Sequence, residues 1–143
     1  MLNIYIDSTI RAPRRGDGKG MYLVEYVSDK DPEKIETRQG LLYLPDTTED
    51  EIMLTTLIEG VNILNRPCKI RIFTNAKHIF STLESHKNAD LRSRKWLSAS
   101  EKSIKNAPLW EIITQQLEKH DWTITSEEHS FREYMKSELK KWQ

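Results

Sequence analysis

The sequence has one cysteine, five glycines and five prolines in 143 residues, and it contains no apolar run long enough to cross a membrane as a helix. A single cysteine, Cys68, excludes a disulfide framework and a multi-cysteine zinc site. The low glycine and proline content excludes a collagen-like or low-complexity chain. Residues 1–7 are too few, and reach a charge too early, for a signal peptide. These absences predict a cytoplasmic protein without a membrane span.

The length and composition are those of one folded unit. Hydrophobic residues make up 37% and charged residues 31% of the chain. At this length roughly two-thirds of the surface of the unfolded chain can be buried, which is enough for one core. No internal repeat or linker interrupts the pattern, so we expect residues 1–143 to form a single domain.

Charge is balanced in total but not along the chain. The 22 basic and 22 acidic residues give a net charge of zero. Residues 66–105 nevertheless carry ten Lys or Arg against three acids, whereas residues 25–59 carry ten acids against three bases. A basic segment of this kind can attract phosphate even in a neutral protein.

Hydrophobic periodicity predicts a sheet flanked by helices. Alternating residues indicate strands, and apolar residues spaced three and four apart indicate helices. The predicted strands cover residues 2–6, 21–27, 35–44, 68–74 and 122–125, with a loop over 9–20. The predicted helices cover residues 47–64, 76–84, 108–119 and 131–142, and residues 85–106 form a helix plus an exposed excursion.

Four segments resemble ribonuclease H, in the order and at the spacing of that family. Ile4-Tyr5-Ile6-Asp7-Ser8 resembles the first strand, which ends in a catalytic aspartate. Phe73-Thr74-Asn75, within residues 70–79, resembles the strand-to-helix turn that carries another. Arg94-Lys95-Trp96 and Lys105-Asn106-Ala107-Pro108-Leu109-Trp110 resemble the basic handle and following helix of bacterial members. The resemblance implies a five-stranded mixed sheet in the order 3-2-1-4-5.

The same resemblance implies a degenerate catalytic centre. Members of the family cut the RNA strand of an RNA–DNA hybrid with two Mg²⁺ ions held by four carboxylates. At the four corresponding positions this chain has Asp7, Met53, Asn75 and, with a register uncertain by one turn, Lys136. Divalent hard cations require oxygen ligands, preferably anionic ones, so we expect no metal or other cofactor. An ammonium group from Lys136 is expected to occupy the place of a metal beside Asp7.

Residual activity is the alternative, and it would require Mg²⁺ or Mn²⁺. It would use Asp7 and Asn75 with a displaced carboxylate. The candidates are Glu49, Asp50 and above all Glu51 in the first helix, where a shift of register would be required, and Glu133 or Glu138 in the last. The position of His129 matches a flexible-loop histidine of the family that helps the product to leave.

Nucleic-acid binding survives the loss of catalysis most easily, because it requires only basic side chains at backbone spacing. We call residues 92–105 the handle segment. Its Trp96 is expected either to be an exposed ring that stacks on a base among the basic side chains or to anchor the excursion to the domain. The expected partner is an RNA–DNA hybrid or double-stranded RNA, and a protein partner, with the fold serving only as an adaptor scaffold, remains a third hypothesis. The candidate binding residues are Arg14, Arg15, Arg92, Arg94, Lys95, Trp96, Lys102 and Lys105.

Overall fold

The computed structural model describes residues 1–141. This part of the chain forms five strands and five helices, and none of these helices is long and apolar enough to cross a membrane. The predicted last helix extends to Trp142, which lies outside the described residues. In chain order the elements are β1 (Leu2–Ser8), β2 (Arg15–Val27), β3 (Ile35–Thr48), α1 (Glu49–Asn62), β4 (Lys69–Phe73), α2 (Lys77–Glu84), α3 (Lys87–Ser93), α4 (Ala107–Glu118), β5 (Asp121–Thr125) and α5 (Arg132–Lys140).

The strands form one mixed sheet in the order β3-β2-β1-β4-β5, which confirms the predicted order. The β1–β2 and β2–β3 pairs are antiparallel, whereas β1–β4 and β4–β5 are parallel. The parallel pairs follow from the helical crossovers that precede β4 and β5. This topology places β1 at the centre of the sheet, with the end of β4 beside its own.

The two faces of the sheet bury different cores. Ile4 and Ile6 of β1 join the main core cluster, which also includes α1 and α4 residues. Tyr5, between them, points to the opposite face and packs in a smaller cluster with Met135 of α5. Alternation along β1 therefore places Asp7, like Tyr5, on the face that α5 covers.

The hairpin of β2 and β3 is longer than the sequence pattern indicates. β2 begins at Arg15 instead of residue 21, and β3 continues to Thr48, with a register shift between Gly16 and Gly18. Strand pairing therefore extends through the glycine-rich segment that predicts a loop. Gly20 is required there because a Cβ atom would lie 2.0 Å from Thr56 Oγ1 of α1.

The excursion in residues 85–106 contains a short helix, α3, and is tied to the core by Trp96. Of the two interpretations of this ring, exposure for stacking is wrong and anchoring is confirmed, because Trp96 is only 8% exposed and belongs to the main core cluster. Its backbone N–H donates to Leu91 O at 2.8 Å, and its own carbonyl accepts from Ile104 N–H at 2.9 Å. The ring and these bonds fasten the handle segment to the domain.

Candidate nucleic-acid interface and catalytic position

Asp7 lies near the end of the central strand and is already bound by a cation of this chain. Its carboxylate is buried, and Oδ1 accepts hydrogen bonds from Ser8 N–H at 2.8 Å and from Arg11 Nη2 at 2.6 Å. Arg11 also donates to Ser8 O at 2.8 Å, so its guanidinium is held in the turn after β1. An intramolecular ion pair therefore compensates the charge of Asp7.

The cation beside Asp7 is thus Arg11, and not Lys136 as expected from the sequence. Lys136 Nζ lies 3.9 Å from Glu133 Oε1, although its side chain lines the same pocket as Asp7 and Arg11. Arg11 lies in the loop four residues after Asp7, whereas the resemblance to the family indicates a position in the last helix. The resemblance therefore does not point to Arg11.

Asn75 reaches the same end of the sheet from the neighbouring strand. The parallel register pairs Tyr5 with Phe73, and Asp7 and Asn75 each follow two residues later. Both line one small cavity, and Asn75 Oδ1 is buried there without a hydrogen-bond partner among residues 1–141. The expected juxtaposition of these two residues is therefore present.

On α1 the structure places a carboxylate one turn before the position expected from the family. Met53 is fully buried in the main core. Glu49, four residues earlier, lies on the same side of the helix and is only 9% exposed. Burial raises the pKa of Glu49 above its usual value, Arg11 opposes this shift, and the nearby charges of Asp50 and Asp7 add to it.

The other acidic candidates are engaged elsewhere. Glu51 Oε1 accepts from Thr47 Oγ1 at 2.6 Å, and Glu51 N–H donates to the N-cap Thr48. In α5, Glu133 is 89% exposed and Glu138 pairs with Lys141 at 2.8 Å. None of these three acids lines the cavities that contain Asp7.

His129 lies in the loop between β5 and α5, where its ring is packed, and its expected role in product release stays a prediction. Its ring centroid lies 4.4 Å from that of Tyr5, and Nδ1 accepts from Phe131 N–H at 3.2 Å. Burial, followed by the positive charge of Arg132, lowers the pKa of His129 below its usual value. The ring lines the same small cavity as Asp7 and Asn75, and its burial there favours the neutral imidazole.

A cleft of about 660 Å³ opens beside Arg11 and the N-terminus of α1. Four basic side chains line it, against the two acids Glu49 and Asp50, and Asp50 is itself paired with His78. The basic residues come from three distant parts of the chain. They are Arg11, Arg14, Lys77 and Lys105. Only Arg14 and Lys105 are among the binding residues predicted from the sequence.

Three of the five other basic residues predicted to bind have acidic partners. Arg15 Nε lies 2.8 Å from Asp46, and Arg94 lies 3.1 Å from Asp90. Arg92 joins α3 to α4, because its Nε lies 3.1 Å from Glu111 and its Nη1 pairs with Glu118. Lys95 and Lys102 are exposed and have no ion pair within the described residues.

The comparison with known proteins identifies the family. No family model matches the chain. The ribonuclease H of Cupriavidus necator is 30% identical over 120 residues, which cover 83% of this chain and 76% of that protein. The chain belongs to the ribonuclease H family. The ribonuclease H of Hydrogenovibrio crunogenus is 32% identical over 78 residues, and this match spans about half of the relative's length, 53%.

Solved structures show the same fold across nearly the whole chain. LC9-RNase H1, described as a type 1 RNase H with the type 2 active-site motif, has a TM-score of 0.77 and 21% identity, covering 98% of this chain and 70% of that one. A foamy viral protease–reverse transcriptase in complex with an RNA/DNA hybrid has a TM-score of 0.69 and 15% identity, covering 96% of this chain and 18% of that one. The ribonuclease H-like fold is therefore shown by solved structures that share only 15–21% of their residues with this chain.

Proposed function

We propose that this chain is a nucleic-acid-binding member of the ribonuclease H family that has lost two-metal hydrolysis of RNA–DNA hybrids. One observation carries the proposal. Among the four family positions Asp7 is the one that still has a carboxylate, and this group is buried. Its Oδ1 lies 2.6 Å from Arg11 Nη2. A metal ion at this place would have to displace a guanidinium that three further hydrogen bonds to Ser8 and Ile10 keep in position.

The donor set does not fit two divalent ions. Two such ions about 3.5–4 Å apart bring four positive charges into one site. Asn75 offers a neutral oxygen, Met53 a buried thioether, and Lys136 an ammonium group that repels cations. Within residues 1–141 no three His, Cys, Asp or Glu side chains are grouped closely enough to hold an ion. We therefore derive no hydrolytic step through a metal.

Binding is supported by the cleft beside Arg11. Arg14, Lys77 and Lys105 line it and make no ion pair within the described part of the chain, so their charges are available to phosphate. Phosphate contacts position a nucleic acid without reading its sequence. A member of the same fold has been solved with an RNA/DNA hybrid. We propose an RNA–DNA hybrid or double-stranded RNA as the partner.

Salt-dependent binding tests this proposal. Fluorescence anisotropy with a labelled RNA–DNA hybrid should show that the logarithm of the affinity falls linearly with the logarithm of the salt concentration. With B-form DNA as a guide, the slope is about −0.9 per phosphate contact. Arg14→Ala/Lys105→Ala should weaken binding and flatten the slope. Lys30→Ala/Lys34→Ala, in the turn at the opposite end of the sheet, is the matched control and should leave both unchanged.

Absence of binding would contradict the proposal. If no duplex or single strand binds at about 50 mM salt, where charges are weakly screened, the basic cleft does not serve nucleic acid. A protein–protein adaptor on this scaffold would then be the better hypothesis.

Weak hydrolysis is the second candidate, and the position of Glu49 favours it. Glu49 lies one turn before Met53, close enough to Asp7 and Arg11 for their charges to affect its pKa. If Arg11 moved away, Asp7, Glu49 and the Asn75 amide would supply three oxygen donors. Cleavage of a labelled hybrid with Mn²⁺ that disappears in both Asp7→Asn and Glu49→Gln would establish this function.

A further inference from the structure

A second pocket lies on the other side of Arg11 from the cleft, towards α5. Its volume is about 210 Å³, and Arg11 lines both spaces. Thr9 contributes from the chain after β1, and Lys136 and Lys140 contribute from α5. The only acid in its lining is Asp7, whose charge Arg11 already compensates.

The two lysines leave a surplus of positive charge in this pocket. They are four residues apart on α5, so their side chains lie on one face of the helix. Like charges at this spacing repel each other and destabilise an isolated helix. Glu133 is a weak counterion for Lys136, because it is 89% exposed and 3.9 Å away, and Lys140 has no ion pair within residues 1–141.

An anion between the two lysines would relieve this repulsion. The Thr9 side chain adds a hydroxyl donor at the rim, since Thr9 Oγ1 accepts only a backbone N–H from Lys19 and keeps its own proton free. Arg11 forms the wall that the pocket shares with the cleft. A charged tetrahedral group with several acceptor oxygens matches this set of donors.

We infer that the pocket of Arg11, Thr9, Lys136 and Lys140 binds a phosphate group without a metal ion. The phosphate is either part of a nucleic-acid backbone that continues from the cleft past Arg11, or a free phosphate. The backbone form rests on the proposed function, whereas the free form does not. In either case ammonium groups, and not divalent cations, neutralise the phosphate in this pocket.

The test uses two probes in EDTA, inorganic phosphate followed by calorimetry and a labelled RNA–DNA hybrid followed by anisotropy. Lys136→Gln/Lys140→Gln should lose phosphate binding, or should weaken hybrid binding and reduce the salt slope by about 1.8, from two contacts of about 0.9 each. Lys140→Gln alone, at an exposed position, should give about half of that change in slope and tests the pocket with little risk to folding. Lys30→Gln/Lys34→Gln is the control.

The outcomes separate this inference from the proposed function. Phosphate binding that depends on the two lysines, without hybrid binding, supports the free-phosphate form and contradicts the proposed function. If hybrid binding depends on Arg14 and Lys105, and the folded lysine variants bind both probes as tightly as the wild type does, the inference is overturned. The proposed function then stands. Binding of either probe at this pocket only when Mg²⁺ is added also overturns it.

Discussion

The cleft and the handle segment are both rich in basic residues, but they use those charges differently. In the handle segment Arg92 and Arg94 are paired with acids of α3 and α4, and Trp96 is buried in the core. In the cleft Arg14 and Lys77 face open space without an acidic partner in the described chain. A local excess of charge in a sequence therefore does not identify the surface that is free to bind.

Lys105 connects the two regions, since it ends the handle segment and lines the cleft. Its neighbour Asn106 has a positive φ of 62° and is followed directly by α4. The handle segment thus combines a folded part, fixed by its paired arginines and by Trp96, with the exposed lysines Lys95 and Lys102, and it presents Lys105 at the edge of the cleft. The predictions below would break or sharpen this division between support and binding surface.

The largest expected effect is on stability, in Trp96→Ala. Because the ring is 8% exposed and packs in the main core, its removal should lower the free energy of unfolding by about 3–5 kcal/mol. Urea denaturation measures this change. Leu97→Ala, at a neighbouring residue that is 37% exposed, should cost far less. An equally stable Trp96→Ala protein that fails to bind nucleic acid would assign the ring to binding instead of support.

The next effect compares two pairs of basic residues. Arg14→Ala/Lys105→Ala should weaken hybrid binding, and the loss relative to the wild type should be about tenfold larger at 0.05 M salt than at 0.2 M, because two phosphate contacts that release counterions are lost. Arg92→Ala/Arg94→Ala removes the same charge but should change the affinity little, since both side chains already have acidic partners. Anisotropy titrations at the two salt concentrations measure both. Equal losses in the two variants would mean that the ion pairs of the handle segment open on binding.

A smaller effect concerns His129, which lines the same small cavity as Asp7. The pKa of His129 is lowered in the folded protein, so the unfolded chain takes up the proton first as the pH falls. The stabilising contribution is therefore present above a pH of about 6.5, the usual histidine pKa, and is lost below it. His129→Phe should reduce the loss of stability between neutral and mildly acidic pH, and His120, whose pKa is also lowered, should account for part of what remains.

Thermal unfolding at a series of pH values measures this loss of stability with falling pH. His86→Asn is the control, because His86 is exposed and has a positive φ of 58° that asparagine tolerates. A His129→Phe protein with the same pH dependence as the wild type would contradict a packed, neutral ring.

The smallest expected effect is that of the surface ion pair between Arg94 and Asp90. Both side chains are about half or more exposed, at 47% and 65%, so a double-mutant cycle should give a coupling of about 0.3–0.5 kcal/mol. Chemical denaturation of Arg94→Ala, Asp90→Ala and the double variant measures it. A coupling near zero would show that Asp90 does not hold Arg94 in place, which removes the pairing that distinguishes Arg94 from the residues of the cleft.

The strand order and the approach of Asp7 to Asn75 could be predicted from the sequence through its resemblance to ribonuclease H, since periodicity indicates the strands but not their order in the sheet. The partners of the charged groups could not. Arg11 reaches Asp7 by folding back in the turn after β1, and Arg92 reaches Glu111 and Glu118 across two helices. Such contacts depend on tertiary geometry that periodicity does not encode.

Glu49 shows a signal that was present but easy to misread. A neighbouring residue on a helix points about 100° away, which excludes positions next to Met53, but a residue four positions away returns to the same face. Glu49 has that spacing and is buried beside the site. Trp96 illustrates a different limit of the sequence. A tryptophan among basic residues gives the same pattern whether its ring stacks on a base or packs in a core.

The central claim is that this chain holds a hybrid without cutting it, and one experiment tests both halves. A hybrid with a labelled RNA strand is incubated with the protein at about 50 mM salt in Mg²⁺ or Mn²⁺, and the same samples are read by anisotropy and by denaturing gel. The account predicts a bound hybrid with an intact RNA strand. Cleavage of the RNA that is abolished by Asp7→Asn would contradict it.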